Sequence, residues 1–254
     1  METIRILAWS GLHEQWRNRA YQVAMLFAGV MLYLSLLLGM LAVDQELRAL
    51  LDFGLSFIEL MALGTAIFGA ATGILREIET KAIYLVLSRP VTRLQYLVGR
   101  YLGLVLSMAV ATLLMAAIHG SLLLARGWDW RWDYLLALLG ILLKVSVATA
   151  LATLFALFSS SALSALAITF IVWTLGHFLP EMRFLAQRGN FPSIPLLVMT
   201  RVLPDLQLFN FRERIDVPPA VFGGEAVALA GAYAAVYAAV CLGLAYALIR
   251  RKDL

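Results

Sequence analysis

The chain has 254 residues, of which 62% are hydrophobic and only 14% charged, with a mean hydropathy of +0.86 and a formal net charge of +4. A soluble domain is about half apolar and about a quarter charged, so this composition excludes a fold with a single water-shielded core. The lone cysteine, Cys241, excludes an intrachain disulfide framework and reads as a small apolar residue of the last apolar window.

Residues 3–18 place Ile4, Ala8, Leu12 and Trp16 at four-residue intervals, with Trp9 flanking the stripe and Arg5, Glu14 and Arg17 mostly off it. That pattern predicts a helix over residues 1–19 lying in the membrane interface; a short cytosolic leader is the alternative. Residues 20–43 form the first apolar window. It is too long for a signal peptide, and no small-residue cleavage motif follows, so it is expected to be a retained span. Further windows cover residues 54–75, 101–125, 134–158, 162–179 and 226–249. Each offers roughly 18–25 nearly uncharged residues, enough to cross about 30 Å of hydrocarbon as a helix. Barrel strands would be shorter and alternate in polarity. The expected fold is therefore an all-α integral membrane protein with six spans and a single membrane domain over residues 1–254.

The connections differ in kind. Residues 44–52 are short and acidic, and Arg126–Asp133 (RGWDWRWD) sets three tryptophans among charges, as an interfacial anchor does. The connection at Ser159–Ser161 is so short that the fourth and fifth windows must form a tight hairpin. Residues 180–222 are long and interrupted by Pro192, Pro195 and Pro204, yet apolar at 196–199 and 206–211. Short helices at the outer leaflet are expected there. Of the Lys and Arg residues, 11 fall in the leader, the 76–100 connection and the tail, against 8 on the other side. That bias predicts cytoplasmic termini and an extracytoplasmic 180–222 segment.

Small residues mark expected helix contacts at Gly69 and Gly73 and along the alanine-rich last window. Polar residues inside the spans are costly and are functional candidates by default: Glu59, His119 and Lys144. By rise per residue, Glu59 and Lys144 lie within about 6 Å of each other in depth, so they are expected to pair across the second and fourth spans. Such a pair is either a fixed tie or part of a substrate path; the alternative is a Lys144 that reaches outer water and never meets Glu59. His119 is expected to be a hydrogen-bonded packing residue. The three histidines have no metal-ligand spacing, and no paired nucleophile and base suggests catalysis.

The most informative stretch is residues 76–100. Ile83, Val86 and Leu87 form an apolar side, Glu77, Glu79 and Lys81 a polar one, and Pro90 ends the helix. Thr92 is placed to cap a following helix. The stretch Glu77-Ile78-Glu79-Thr80, then Leu87-Ser88-Arg89-Pro90-Val91-Thr92-Arg93, then Gly99-Arg100 resembles the coupling-helix region of ABC type-2 transporter permeases. It is most similar to the six-span permeases that accompany nitrous-oxide reductase maturation, and Leu203–Asn210 (LPDLQLFN) resembles them too. Lys81-Ala82 departs from the small residue and threonine of many relatives.

The resemblance implies a homodimeric permease subunit of the bacterial inner membrane, exporter-like, with a separate ABC ATPase subunit that holds ATP and Mg. It assigns the ATPase contact to Glu77, Glu79, Thr80, Lys81, Leu87, Ser88, Arg89, Pro90, Thr92, Arg93, Gly99 and Arg100. Independently, the sequence has no Gly-rich G-x-x-x-x-G-K-[ST] phosphate loop, so this chain is not expected to hydrolyse ATP. No cofactor, metal or nucleic acid is expected on it. Two alternatives stay open: an intramembrane enzyme, and an anchor that passes the force of ATP hydrolysis to a periplasmic accessory partner without moving substrate.

Overall fold

The computed structural model describes residues 46–81, 92–187, 193–215 and 224–251, with scattered positions between 26 and 37. The expected interfacial leader helix, most of the first window, residues 82–91 of the elbow and the last three residues lie outside the described residues. Among the described residues every regular element is helical.

The helices are α1 (Glu46–Glu79), α2 (Arg93–Ala125), α3 (Trp132–Phe158), α4 (Ala162–His177), α5 (Leu179–Gln187), α6 (Ser193–Val202) and α7 (Gly224–Arg251), with 3-10 turns at Leu206–Phe209 and Phe211–Arg214 between α6 and α7. Four of them (α1, α2, α3 and α7) are long and apolar enough to cross a membrane, and α4 with α5 forms a bent pair that passes the same test. This is a multi-pass α-helical membrane protein.

Helix α1 has 34 residues, about 50 Å at 1.5 Å each, so it overshoots a hydrocarbon core of about 30 Å. Its charges bracket the core: Glu46, Arg48 and Asp52 at one end and Arg76, Glu77 and Glu79 at the other, with Glu59 between. Helix α3 is the centre of the bundle and packs against α1, α2, α4 and α7. Of its apolar window 67% is buried, against 28% for α7, which is the peripheral span. Two apolar clusters fill the bundle. One joins α1, α2 and α3 with Phe27 and Met31 of the first window, and Phe27 stacks on Phe57. The other joins α3 and α7 with Leu206, Phe209 and Phe211.

Local sequence sets the breaks. Thr92 accepts from the Gln95 N–H at 3.2 Å, and its own N–H donates to Gln95 Oε1 at 3.0 Å, the reciprocal box expected at a helix start. Replacing Thr92 with Ala should therefore cost about 1 kcal/mol, and Thr92→Ser almost nothing, in thermal unfolding of the micelle-bound chain. Ser161 likewise caps α4 through the Ser164 N–H, which makes the short hairpin between α3 and α4.

The fifth window was expected as a span over 162–179; α4 covers 162–177 of it, and the chain then turns by 61° into α5. Pro180 explains the break, because it lacks the N–H that would continue the helical ladder. The long connection does form short helices, and it is tied back to the bundle. The Asp205 N–H donates to Tyr233 Oη at 2.9 Å and Tyr237 Oη donates to the Val202 carbonyl at 3.1 Å. A side chain added at Gly140 would overlap the Phe209 carbonyl oxygen, so α3 needs a glycine there to seat the 3-10 turn.

Candidate functional site

Two groups of predicted residues fall at opposite levels of the bundle. The first lies within the spans. Lys144 on α3 is 3% exposed, and its Nζ donates to Glu59 Oε1 of α1 at 2.7 Å; the Glu59 side chain is 15% exposed. The two residues are therefore partners. A carboxylate and an ammonium in hydrocarbon each carry a large desolvation cost that only close pairing offsets.

A third group completes this site and was missed in the sequence. His177 at the end of α4 brings Nε2 to 3.5 Å from Glu59 Oε1. Its Nδ1 lies 3.1 Å from the Trp173 carbonyl, an acceptor, so Nδ1 carries a hydrogen. Nε2 can then donate to the carboxylate only when the ring is doubly protonated. Trp173 packs edge-on against the imidazole with ring centroids 4.6 Å apart. One carboxylate thus ties α1 to α3 and stands against the end of α4.

His119 is not part of this cluster. It is fully buried, with Nδ1 3.0 Å from Tyr134 Oη and Nε2 3.2 Å from the Leu50 carbonyl. Tyr134 also donates to the Ala116 carbonyl at 3.1 Å. Trp128 and Trp130 pack edge-on or tilted against the Tyr134 ring, with centroids 5.8 Å away. His119 is a packing residue at the tryptophan end, bonding α1 to α2 and α3.

The second group is at the elbow. Helix α1 ends where Lys81 adopts the left-handed conformation, φ 57, so it does not continue unbroken through Lys81 as the amphipathic pattern suggested. A residue with a Cβ pays roughly 1–2 kcal/mol for that conformation, which makes the position a defined corner. Glu79, Thr80 and Lys81 are exposed. Leu87, Ser88, Arg89 and Pro90 lie outside the described residues.

Three residues expected on the partner-facing set instead turn into the chain. Glu77, expected to be exposed, pairs with Arg100 Nη2 at 2.7 Å and accepts from Tyr96 Oη. Tyr96 and Arg100 are one turn apart and share a face of α2, so both reach the same carboxylate across the hairpin. Gly73 leaves room for that guanidinium, which a Cβ there would meet at 2.8 Å. Arg93 donates through Nη1 to the Ile249 carbonyl at 2.8 Å, satisfying an open carbonyl at the C-terminal end of α7. Gly99 is buried within α2.

The elbow base is thus a braced hairpin of two long helices. Among the described residues no group of three His, Cys, Asp or Glu side chains is placed to hold a metal ion. Comparison with protein-family models gives no match, and neither does comparison with curated proteins.

Proposed function

We propose that this chain is the membrane-spanning subunit of an ATP-driven transporter, working with a separate ATP-hydrolysing subunit. The observation that carries the reading is the elbow. Helices of 34 and 33 residues are joined by a short connection whose two ends are fixed, at one side by the Glu77–Arg100–Tyr96 brace and at the other by the Thr92 box. A push on such a connection moves two spans as levers, not a loose loop. The string Leu87-Ser88-Arg89-Pro90-Val91-Thr92-Arg93 runs from that connection into the first residue of α2.

In this reading the elbow rests on the cytoplasmic ATPase through Glu79, Thr80, Lys81, Leu87, Ser88 and Arg89. Glu77, Arg93 and Arg100 act from behind it as positioning residues. The chain spans the bacterial inner membrane six times with cytoplasmic termini, pairs with a second copy, and leaves ATP and Mg to the partner. Movement of α1 against α3 and α4 then works directly on the Glu59–Lys144–His177 contact, which lies on the proposed substrate path. A second use of the same motion has its own support. Residues 202–211 are bonded to α7 and seated on α3, so they would pass that motion to a periplasmic partner.

The topology this requires is directly testable. In a Cys241→Ala background, a cysteine at Gly189 should react with an impermeant maleimide added outside the cell, and one at Asp253 should not. The opposite pattern places the elbow away from cytosolic ATP and rejects the reading.

A further inference from the structure

Helix α4 packs against α3, α1, the Leu206–Phe209 turn and α5. The groups these elements bring to its end decide what His177 does there. Helix α1 brings Glu59, and α3 brings Lys144, already bonded to Glu59 Oε1 at 2.7 Å. The turn brings Gln207, an uncharged group whose Nε2 donates to the His177 carbonyl at 3.2 Å. Just before the turn, Asp205 pairs with Arg183 of α5 at 2.9 Å, so those two charges offset each other. Glu181 of α5 is exposed, and α4 itself has no titratable side chain besides His177. Among the described residues, Glu59 is therefore the charge that stands within ion-pair distance of the imidazole.

With Nδ1–H donating to the Trp173 carbonyl, the two states of the ring meet Glu59 very differently. A neutral ring turns the Nε2 lone pair toward Oε1 at 3.5 Å, acceptor against acceptor. A doubly protonated ring turns an N–H toward it, and the contact becomes a charge-assisted hydrogen bond. The proton does not sit on the carboxyl oxygen instead, because Oε1 already accepts from Lys144 Nζ. The imidazole is 24% exposed, so water can deliver and remove its proton. We propose that His177 is a proton-operated clasp. Protonated, it binds the end of α4 to α1 through Glu59; neutral, it lets that end move away. The turn beside it moves too. A Cβ at Gly176 would meet the Pro204 carbonyl oxygen at 2.7 Å, and Gln207 holds the His177 carbonyl, so residues 204–207 travel with the end of α4. This inference is independent of the ATP-coupled reading.

The test measures the separation of α1 and α5 by pulsed electron spin resonance on the purified full-length chain in neutral detergent. Spin labels go on Phe53→Cys and Leu185→Cys, both exposed positions, in a Cys241→Ala background. Histidine ordinarily changes charge between about pH 5 and about pH 8, so these are the two conditions compared. With His177 present, the shorter separation should dominate at about pH 5 and lose at least about half of its population by about pH 8. His177→Gln, whose amide sets a permanent donor where Nε2–H stands, should hold the shorter separation at both. His177→Phe should hold the longer one at both. A separation that does not respond to pH with His177 present would overturn the proposal. So would a response that survives in His177→Gln, which would assign the proton to another group. Should His177→Phe fail to fold, His177→Gln decides the question without it.

Discussion

Replacing Lys144 with Met should lower the stability of the chain by about 3–5 kcal/mol, the usual consequence of removing one member of a buried ion pair. Glu59 would remain in the bundle, with its 2.7 Å donor gone and only His177 Nε2 at 3.5 Å. Glu59→Lys should be as damaging, since it sets a second ammonium beside Lys144 and the imidazole. The double swap, Glu59→Lys with Lys144→Glu, should restore most of the loss. Neutralising both members, Glu59→Gln with Lys144→Met, should also rescue, because no uncompensated charge is left in hydrocarbon. Thermal unfolding in a neutral detergent and the fraction inserted in membranes give the readout. No rescue by the double swap would mean that the pairing is not what holds these helices. Rescued assembly with lost transport would place the pair on the substrate route.

Much of this arrangement is legible in the sequence where a single physical rule decides. The length of hydrocarbon to be crossed sets the spans formed by α1, α2, α3 and α7. Depth allowed Glu59 to pair with Lys144 but equally allowed Lys144 to reach outer water, and it is the 2.7 Å contact that selects the pairing. His177 was illegible because it ends an apolar window and so reads as interfacial. Its contact with Glu59 depends on how α4 lies against α1, and on the break at Pro180 that ends the helix there. The elbow misleads in another way. Glu77, Arg93 and Arg100 belong to a charged motif, and charge suggests exposure. The hairpin register turns them inward, and the one local signal was that Tyr96 and Arg100 stand on a single face of α2.

That register decides how the central claim is tested. Reversing Arg93 would confuse two effects, because its guanidinium closes the end of α7 through the Ile249 carbonyl. Arg89 carries the same charge in the Ser88-Arg89-Pro90 string and is the position to reverse instead. Reversal at an interface removes an attraction and adds a repulsion, together worth several kcal/mol, so at least about a tenfold loss of binding is expected. The measurement is affinity capture of the full-length chain from its native membrane, with ATP hydrolysis assayed in the captured complex. The wild type should bring down an ATP-hydrolysing subunit, and Arg89→Glu, inserted at normal levels, should retain at least about tenfold less of it and of the hydrolysis. Capture of no ATP-hydrolysing subunit by the wild type, or equal capture by Arg89→Glu, would contradict the account.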